Sequence, residues 1–308
     1  MRSVQWPSLT HSLKPMTTRE FVLTLSCKDT KGIVYAVSGV LYQAGCNILD
    51  SQQFSDVQST DSMGRFFMRV HFEAPDSLAD AEALTVLFQS VSERFHMNSR
   101  FHDLQRKSRL LLMVSQHGHC LNDLLFRQRS GLLDVEIGAI VSNHETFADL
   151  ASTYRIPFHY LPLRAGVPAL VKRAQEQEIE GLVGHLGIDL VVLARYMQIL
   201  SPEMCGFLKG RAINIHHSFL PSFKGAKPYD QAHERGVKLI GATAHYVTAN
   251  LDEGPIIEQD VARVEHTLSP EGLAAVGRDV ESVVLARAVR WHVEHRVLMN
   301  GQKTVVFR

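Results

Sequence analysis

Apolar and polar positions alternate with period two through Phe21, Leu23 and Leu25, which predicts a strand. The turn Cys27-Lys28-Asp29-Thr30-Lys31-Gly32 follows. Ile33, Val37, Val40, Leu41 and Ala44 then recur at helical spacing, and Gly45 stands where a helix C-cap wants it. Residues 48–54 and 65–72 read as two further strands joined by the polar tract 55–64, a hairpin loop. Leu84, Leu87, Phe88 and Val91 mark a second helix, and residues 99–104 a closing strand. The order βαββαβ is the ferredoxin-like arrangement, in which two helices cover one face of an antiparallel sheet.

After the basic, apolar-free hinge Gln105-Arg106-Lys107-Ser108-Arg109 the pattern changes. Residues 110–114, 137–141 and 190–193 are continuous apolar runs, with a shorter one at 212–215, and helical stretches near 120–130, 145–154 and 168–180 separate them. Short strands that are apolar on both faces and alternate with helices predict a mostly parallel sheet covered on both sides. Residues 270–297 predict one long helix with an apolar stripe, and 304–307 a last short strand. The expected division is a disordered leader over 1–17, a first domain over 18–105 and a second over 109–308. No repeat or low-complexity segment interrupts it.

Length and composition narrow the function classes. A chain of 308 residues is about twice a typical domain. A hydrophobic fraction of 45% with 21% charged residues excludes a mostly disordered protein. Thirty-two basic residues balance thirty-two acidic ones, so no net charge draws the chain to nucleic acid or anionic lipid. No apolar run approaches the ~20 residues of a membrane span. Cys27, Cys46, Cys120 and Cys205 are scattered without a C-x-x-C pair, which points to a reducing cytoplasm. The first seventeen residues carry Arg2, Lys14 and three serines but no continuous apolar core, so a secretory signal is not expected.

Two segments carry the chemistry. In Arg211-Ala-Ile-Asn214-Ile-His216-His217-Ser218-Phe-Leu-Pro221, a strand would turn Ile213 and Ile215 to one face and Asn214 and His216 to the other. An amide and an imidazole then stand side by side where a buried strand runs out, the place where open α/β sheets bind ligands. A polar strand end bonded to backbone reads equally well from these residues alone. In the second segment, residues 244–257, two apolar strands flank Asn250-Leu251-Asp252-Glu253-Gly254-Pro255. Turn chemistry explains those acids, and so does a role for Asp252 as the carboxylate that meets His216. Such a pair raises the histidine pKa and fixes its tautomer, as general acid–base work requires.

Together the segments resemble the folate-dependent formyltransferase family, with its Asn-x-His-x-Ser-x-Leu-Pro signature at Asn214, His216, Ser218, Leu220 and Pro221. The family's Leu-Asp-x-Gly-Pro-Ile turn is matched at Leu251, Asp252, Gly254, Pro255 and Ile256, with Asp252 36 residues after His216. The resemblance implies that Asn214 and His216 bind the formyl oxygen, that Asp252 manages protons, and that His245 and Ser218 support them. It also implies a Rossmann-like α/β domain in which Tyr196, Met197, Gln198, Ile199 and Leu200 bind the pterin, the backbone bonding its edge and apolar side chains walling the ring.

Within that family, phosphate-bearing acceptors need a glycine-rich loop after the first strand. The segment Val114-Ser-Gln-His-Gly118-His119-Cys120-Leu121-Asn122 has one glycine and resembles instead the formyltetrahydrofolate deformylases, as do His216-His217 and Gly225-Ala226-Lys227-Pro228-Tyr229. The first domain, with Asp29-Thr-Lys-Gly32-Ile33-Val34 and Gly45-Cys46-Asn47-Ile48, resembles an ACT domain, although Lys31 replaces the proline common before that glycine. An ACT domain joined to a formyltransferase-like domain implies hydrolysis of 10-formyltetrahydrofolate to formate and tetrahydrofolate, supplying formate for purine synthesis and balancing one-carbon folate pools. The folate is then substrate and no cofactor is expected. The resemblance further implies a methionine or glycine effector at Asp29, Gly32 and Ile33, and a homo-oligomer. The alternative is formyl transfer to an amine such as glycinamide ribonucleotide.

Other candidates are weaker. His117/His119 and His292/His295 form pairs, but no third ligand stands at zinc-like spacing, so no metal is expected. Cys120 opens a helix, which lowers a thiol pKa, yet a packed small residue explains it better. Gln52 and Gln53 are expected to face a partner sheet or solvent.

Overall fold

The computed structural model describes residues 19–57, 64–78, 80–163, 166–217 and 228–308. The chain divides into two compact units between Arg106 and Lys107. The expected leader and Ser218 lie outside the described residues, as do Gly225, Ala226 and Lys227.

In the first unit the elements are β1 (Arg19–Lys28), α1 (Ile33–Gln43), β2 (Asn47–Asp56), β3 (Arg65–Ala74), α2 (Ala81–Arg94) and β4 (Asn98–Asp103). The sheet order is β2-β3-β1-β4, with every pair antiparallel, so the ferredoxin-like expectation is met. Phe21, Leu23 and Leu25 of β1 are buried with Ile33, Val37 and Leu41 of α1 and Leu84 and Phe88 of α2. Phe101 packs edge-on against both Phe72 and Phe88. Each fully buried side chain of this size contributes roughly 1.5–3 kcal/mol. The Asp80 carboxylate caps α2 by accepting from the Ala83 amide at 2.7 Å.

The second unit runs β5 (Ser108–Val114), α3 (His119–Arg129), β6 (Val135–Ser142), α4 (Ala148–Tyr154), β7 (Phe158–Tyr160), α5 (Ala169–His185), β8 (Leu190–Leu193), α6 (Pro202–Phe207) and β9 (Ala212–His216). It continues with α7 (Pro228–Glu234), β10 (Leu239–Tyr246), β11 (Ile256–Arg263), α8 (Pro270–Val293), β12 (Val297–Asn300) and β13 (Lys303–Val306). Seven strands form one sheet in the order β11-β10-β9-β8-β5-β6-β7, parallel from β9 to β7, with β10 and β11 antiparallel at the other edge. Buried clusters lie on both faces, as the two-sided apolar strands require. No described helix is long and apolar enough to cross a membrane.

One sequence expectation needs correction, and one short strand is added. The long helix ends at Val293, because His295 takes a left-handed conformation with φ 54°. Residues 297–300 are then a strand paired with β13, and the apolar spacing that suggested more helix belongs to that hairpin. The three-residue β7, too short to show a period, was not anticipated.

Candidate active site

β9 lies between β8 and β10, and its register builds the site. Asn214 is level with Leu193 on the parallel side and with His245 on the antiparallel side. Ile213 and Ile215 point into the core, while Asn214 and His216 face the other way with polar partners. The Asn214 Nδ2 lies 3.3 Å from His245 Nε2. His245 Nδ1 lies 2.9 Å from the Tyr246 carbonyl, and because a carbonyl only accepts, Nδ1 carries the hydrogen and the ring orientation is fixed.

Asp252 enters from the turn after β10, with φ 55°. Its Oδ2 stands 3.2 Å from His216 Nδ1 and its Oδ1 3.6 Å from His245 Nε2. Burial works against its ionisation, but hydrogen bonds from His216 and His245, and their charge, outweigh this and hold the carboxyl well below the usual carboxylate range. The turn depends on Gly254, because a Cβ there would lie 1.7 Å from the Tyr246 carbonyl oxygen. The Tyr246 amide donates to the Pro255 carbonyl at 2.9 Å and closes the turn. The structure thus brings Asn214, His216, His245 and Asp252 onto one cavity of about 790 Å³.

Residues 196–200 form another wall of the same cavity. The Met197 amide is held by Ser115 Oγ at 3.0 Å, and the buried Glu176 carboxylate accepts from the Ser201 amide at 2.7 Å. Ser201 in turn caps α6. These bonds fix both ends of the segment and leave Met197 and Ile199 exposed, with Gln198 and Leu200 half-buried. Tyr196 differs, since its ring packs in the core and burial pushes its phenol up to about 12.

His216 stacks on His217 with ring centroids 5.0 Å apart, and His217 tilts against Tyr229 at 6.3 Å. Burial, reinforced by the charges of Arg195 and His216, pushes His217 down to about 4, so its ring is neutral at pH 7. Behind it lies a group that the sequence reading missed. Glu281 of α8 accepts from His119 Nε2 at 2.7 Å and from the Tyr229 hydroxyl at 3.0 Å, and Arg195 Nε stands 3.4 Å away. The available signal was a glutamate inside the apolar stripe of a helix, between Gly277 and Leu285. His119, Cys120 and Glu281 also bring potential ligand atoms within 4.8 Å of one another, a third donor that spacing along the chain does not reveal. Arg195 also faces that carboxylate, and burial pushes the Cys120 thiol up, which keeps it in the neutral form.

In the first unit, the Asp29 carboxylate accepts from the Ser55 hydroxyl, Gly32 caps α1 with φ 92°, and Ile33 is buried in the core. Of the three expected effector residues, Ile33 therefore has only its backbone to offer.

Strand order, the switch to an antiparallel edge and an Asn-x-His strand end facing an aspartate turn define a formyl transferase domain. Residues 108–289 match the formyl transferase family model, and residues 21–88 match the ACT domain model. The chain is 48% identical to the formyltetrahydrofolate deformylase of Corynebacterium sp. (strain P-1), over 93% of this chain and 98% of that one. The crystal structure of the Burkholderia mallei formyltetrahydrofolate deformylase is 51% identical, with a TM-score of 0.87, covering 94% of this chain and all of that one. A glycinamide ribonucleotide transformylase from Symbiobacterium toebii is 28% identical with a TM-score of 0.60, and covers only 66% of this chain. The chain belongs to the formyltetrahydrofolate deformylase family.

Proposed function

We propose that the protein hydrolyses 10-formyltetrahydrofolate to formate and tetrahydrofolate, and that Asn214, His216 and Asp252 carry the reaction. The observation that carries this reading is the 3.2 Å contact between His216 and Asp252, beside Asn214, on the wall of one cavity. The pterin lies against residues 196–200, bonded to backbone and walled by Met197, Ile199 and Leu200. Tyr196 supports that wall from the core. Asp252 accepts a proton from the attacking water. The oxygen that becomes negative rests on the Asn214 amide and His216, each such donor contributing about 3–4 kcal/mol to transition-state stabilisation. His245 holds both Asn214 and Asp252 in place.

The ACT unit takes a small amino acid, methionine or glycine, whose carboxylate meets the amides at the start of α1. The chain works as a homo-oligomer in the cytoplasm, with its formate feeding purine synthesis. Formate release from 10-formyltetrahydrofolate, measured with and without glycinamide ribonucleotide, tests the reaction. Full-rate release without an amine is expected, and formyl label appearing on the amine would replace hydrolysis by transfer.

A further inference from the structure

The reaction turns a neutral formamide into an anion. Water oxygen bonds to the formyl carbon, the carbon–N10 bond breaks, one water proton ends on N10, and a second leaves through the His216–Asp252 pair. Formate remains as a monoanion. A permanent cation suits a site that handles this charge, and among the described residues the cavity has a single lysine or arginine on its wall, Arg195.

We propose that Arg195 is a further catalytic residue, whose guanidinium receives the negative charge of formate as it forms, and that Glu281 is the positioning residue that holds it there. The inference rests on the hydrolytic reading above. β8 and β9 are parallel with Leu193 level with Asn214. Arg195 follows two residues after Leu193, where the chain has left β8, and it lines the same cavity as His216. There the chain turns sharply, since Arg195 adopts φ 67°, a left-handed conformation that costs a β-carbon-bearing residue energy and persists where the surroundings enforce it. Its carbonyl is fixed by the Ser115 amide at 3.1 Å.

The side chain is only 11% exposed, and its buried Nε donates no hydrogen bond among the described residues. Its one ionic partner there, Glu281, is 1% exposed and also serves His119 and Tyr229. One carboxylate that already accepts from His119 and Tyr229 pairs with the guanidinium by charge at one end without satisfying its fork. A planar guanidinium matches a carboxylate in a bidentate way, and formate is the smallest carboxylate. With His217 neutral, Arg195 supplies the permanent positive charge on this side of the cavity.

The test compares the full-length wild type with Arg195→Ala, Arg195→Lys and Glu281→Gln. It measures formate release, KM for the folate, and inhibition by formate and by azide, an anion of similar size that is not turned over. In Arg195→Ala, kcat is expected to fall about thirtyfold with KM within threefold, and both anions to inhibit at least tenfold more weakly. Added guanidinium ion restores part of the turnover in that variant, which a purely structural arginine would not permit. Arg195→Lys keeps the charge without the fork and shows an intermediate loss, and this variant carries the test should the alanine variant not fold. Glu281→Gln weakens anion inhibition less than Arg195→Ala does. Anion inhibition unchanged in a folded Arg195 variant, or loss of turnover that guanidinium leaves untouched, overturns the proposal. A wild type that releases no formate overturns the hydrolytic reading instead, so the two failures are distinguishable.

Discussion

Asp252 and Glu281 invite comparison, because each is a carboxylate with imidazole and other donors around it and each is held below its ordinary pKa against the effect of burial. Asp252 sits on a turn with its side chain 18% exposed, and its two histidine partners stand at 3.2 and 3.6 Å, both from adjacent strands. Glu281 sits on a helix at 1% exposure, with partners from α3, from the chain after β8 and from α7. The first cluster leaves a carboxylate with slack contacts at the wall of an open cavity, where water can reach it. The second saturates its carboxylate and fixes three other elements by it. The difference teaches that charge pairing alone does not suit a carboxylate to act as a general base, since it also needs unsatisfied capacity facing the cavity.

The largest effect that separates the two is expected from Asp252→Asn, which keeps the shape and removes the base. Turnover should fall by about two orders of magnitude or more with folate binding retained. Equilibrium binding beside steady-state rates checks this, and near-normal turnover would take Asp252 out of the mechanism. Gly254→Ala should come next. Its Cβ has no room against the Tyr246 carbonyl, so the turn must shift and carry Asp252 with it. A loss of tenfold or more in kcat is expected, and a variant of normal rate and normal melting temperature would contradict the geometry.

Glu281→Ala sharpens the comparison from the other side. It leaves Arg195 buried without a counter-charge, for which about 3–5 kcal/mol of destabilisation is typical. Urea unfolding should therefore register it more strongly than Asp252→Asn, and equal stabilities would show that Glu281 is not the anchor described. The smallest effect concerns pH. His217 and His292 are held down to about 4 by burial, whereas an unfolded histidine titrates near 6.5. As pH falls, the unfolded chain takes up these protons first. Stability is thus fully present above about 6.5 and is lost progressively toward 4. His292→Gln, which retains a polar partner for the Tyr246 hydroxyl, should flatten that decline. A parallel decline in wild type and variant would remove His292 from the linkage.

Much of the site was legible because its parts are local. Asn214 and His216 share a face by the period of a strand, and Asn250 to Pro255 announces its own turn. Legibility failed where a residue's role depends on distant neighbours. Tyr196 stands in the segment that lines the cavity, and its packing into the core cluster is decided by such neighbours. The stripe of α8 reads as continuous to residue 297, yet His295 breaks the helix without the glycine that would have marked it.

By itself the sequence determined the two folding patterns, the Asn-x-His strand end and the aspartate turn, because side-chain period and turn chemistry act within a few residues. Tertiary structure alone decided that Asp252 faces His216, since the antiparallel pairing of β9 with β10 returns that turn to the strand end. It alone joined His119 to Glu281 across 162 residues and set Arg195 beside them. A buried charge finds its partners by packing in space, and nothing in its neighbours along the chain encodes which they will be.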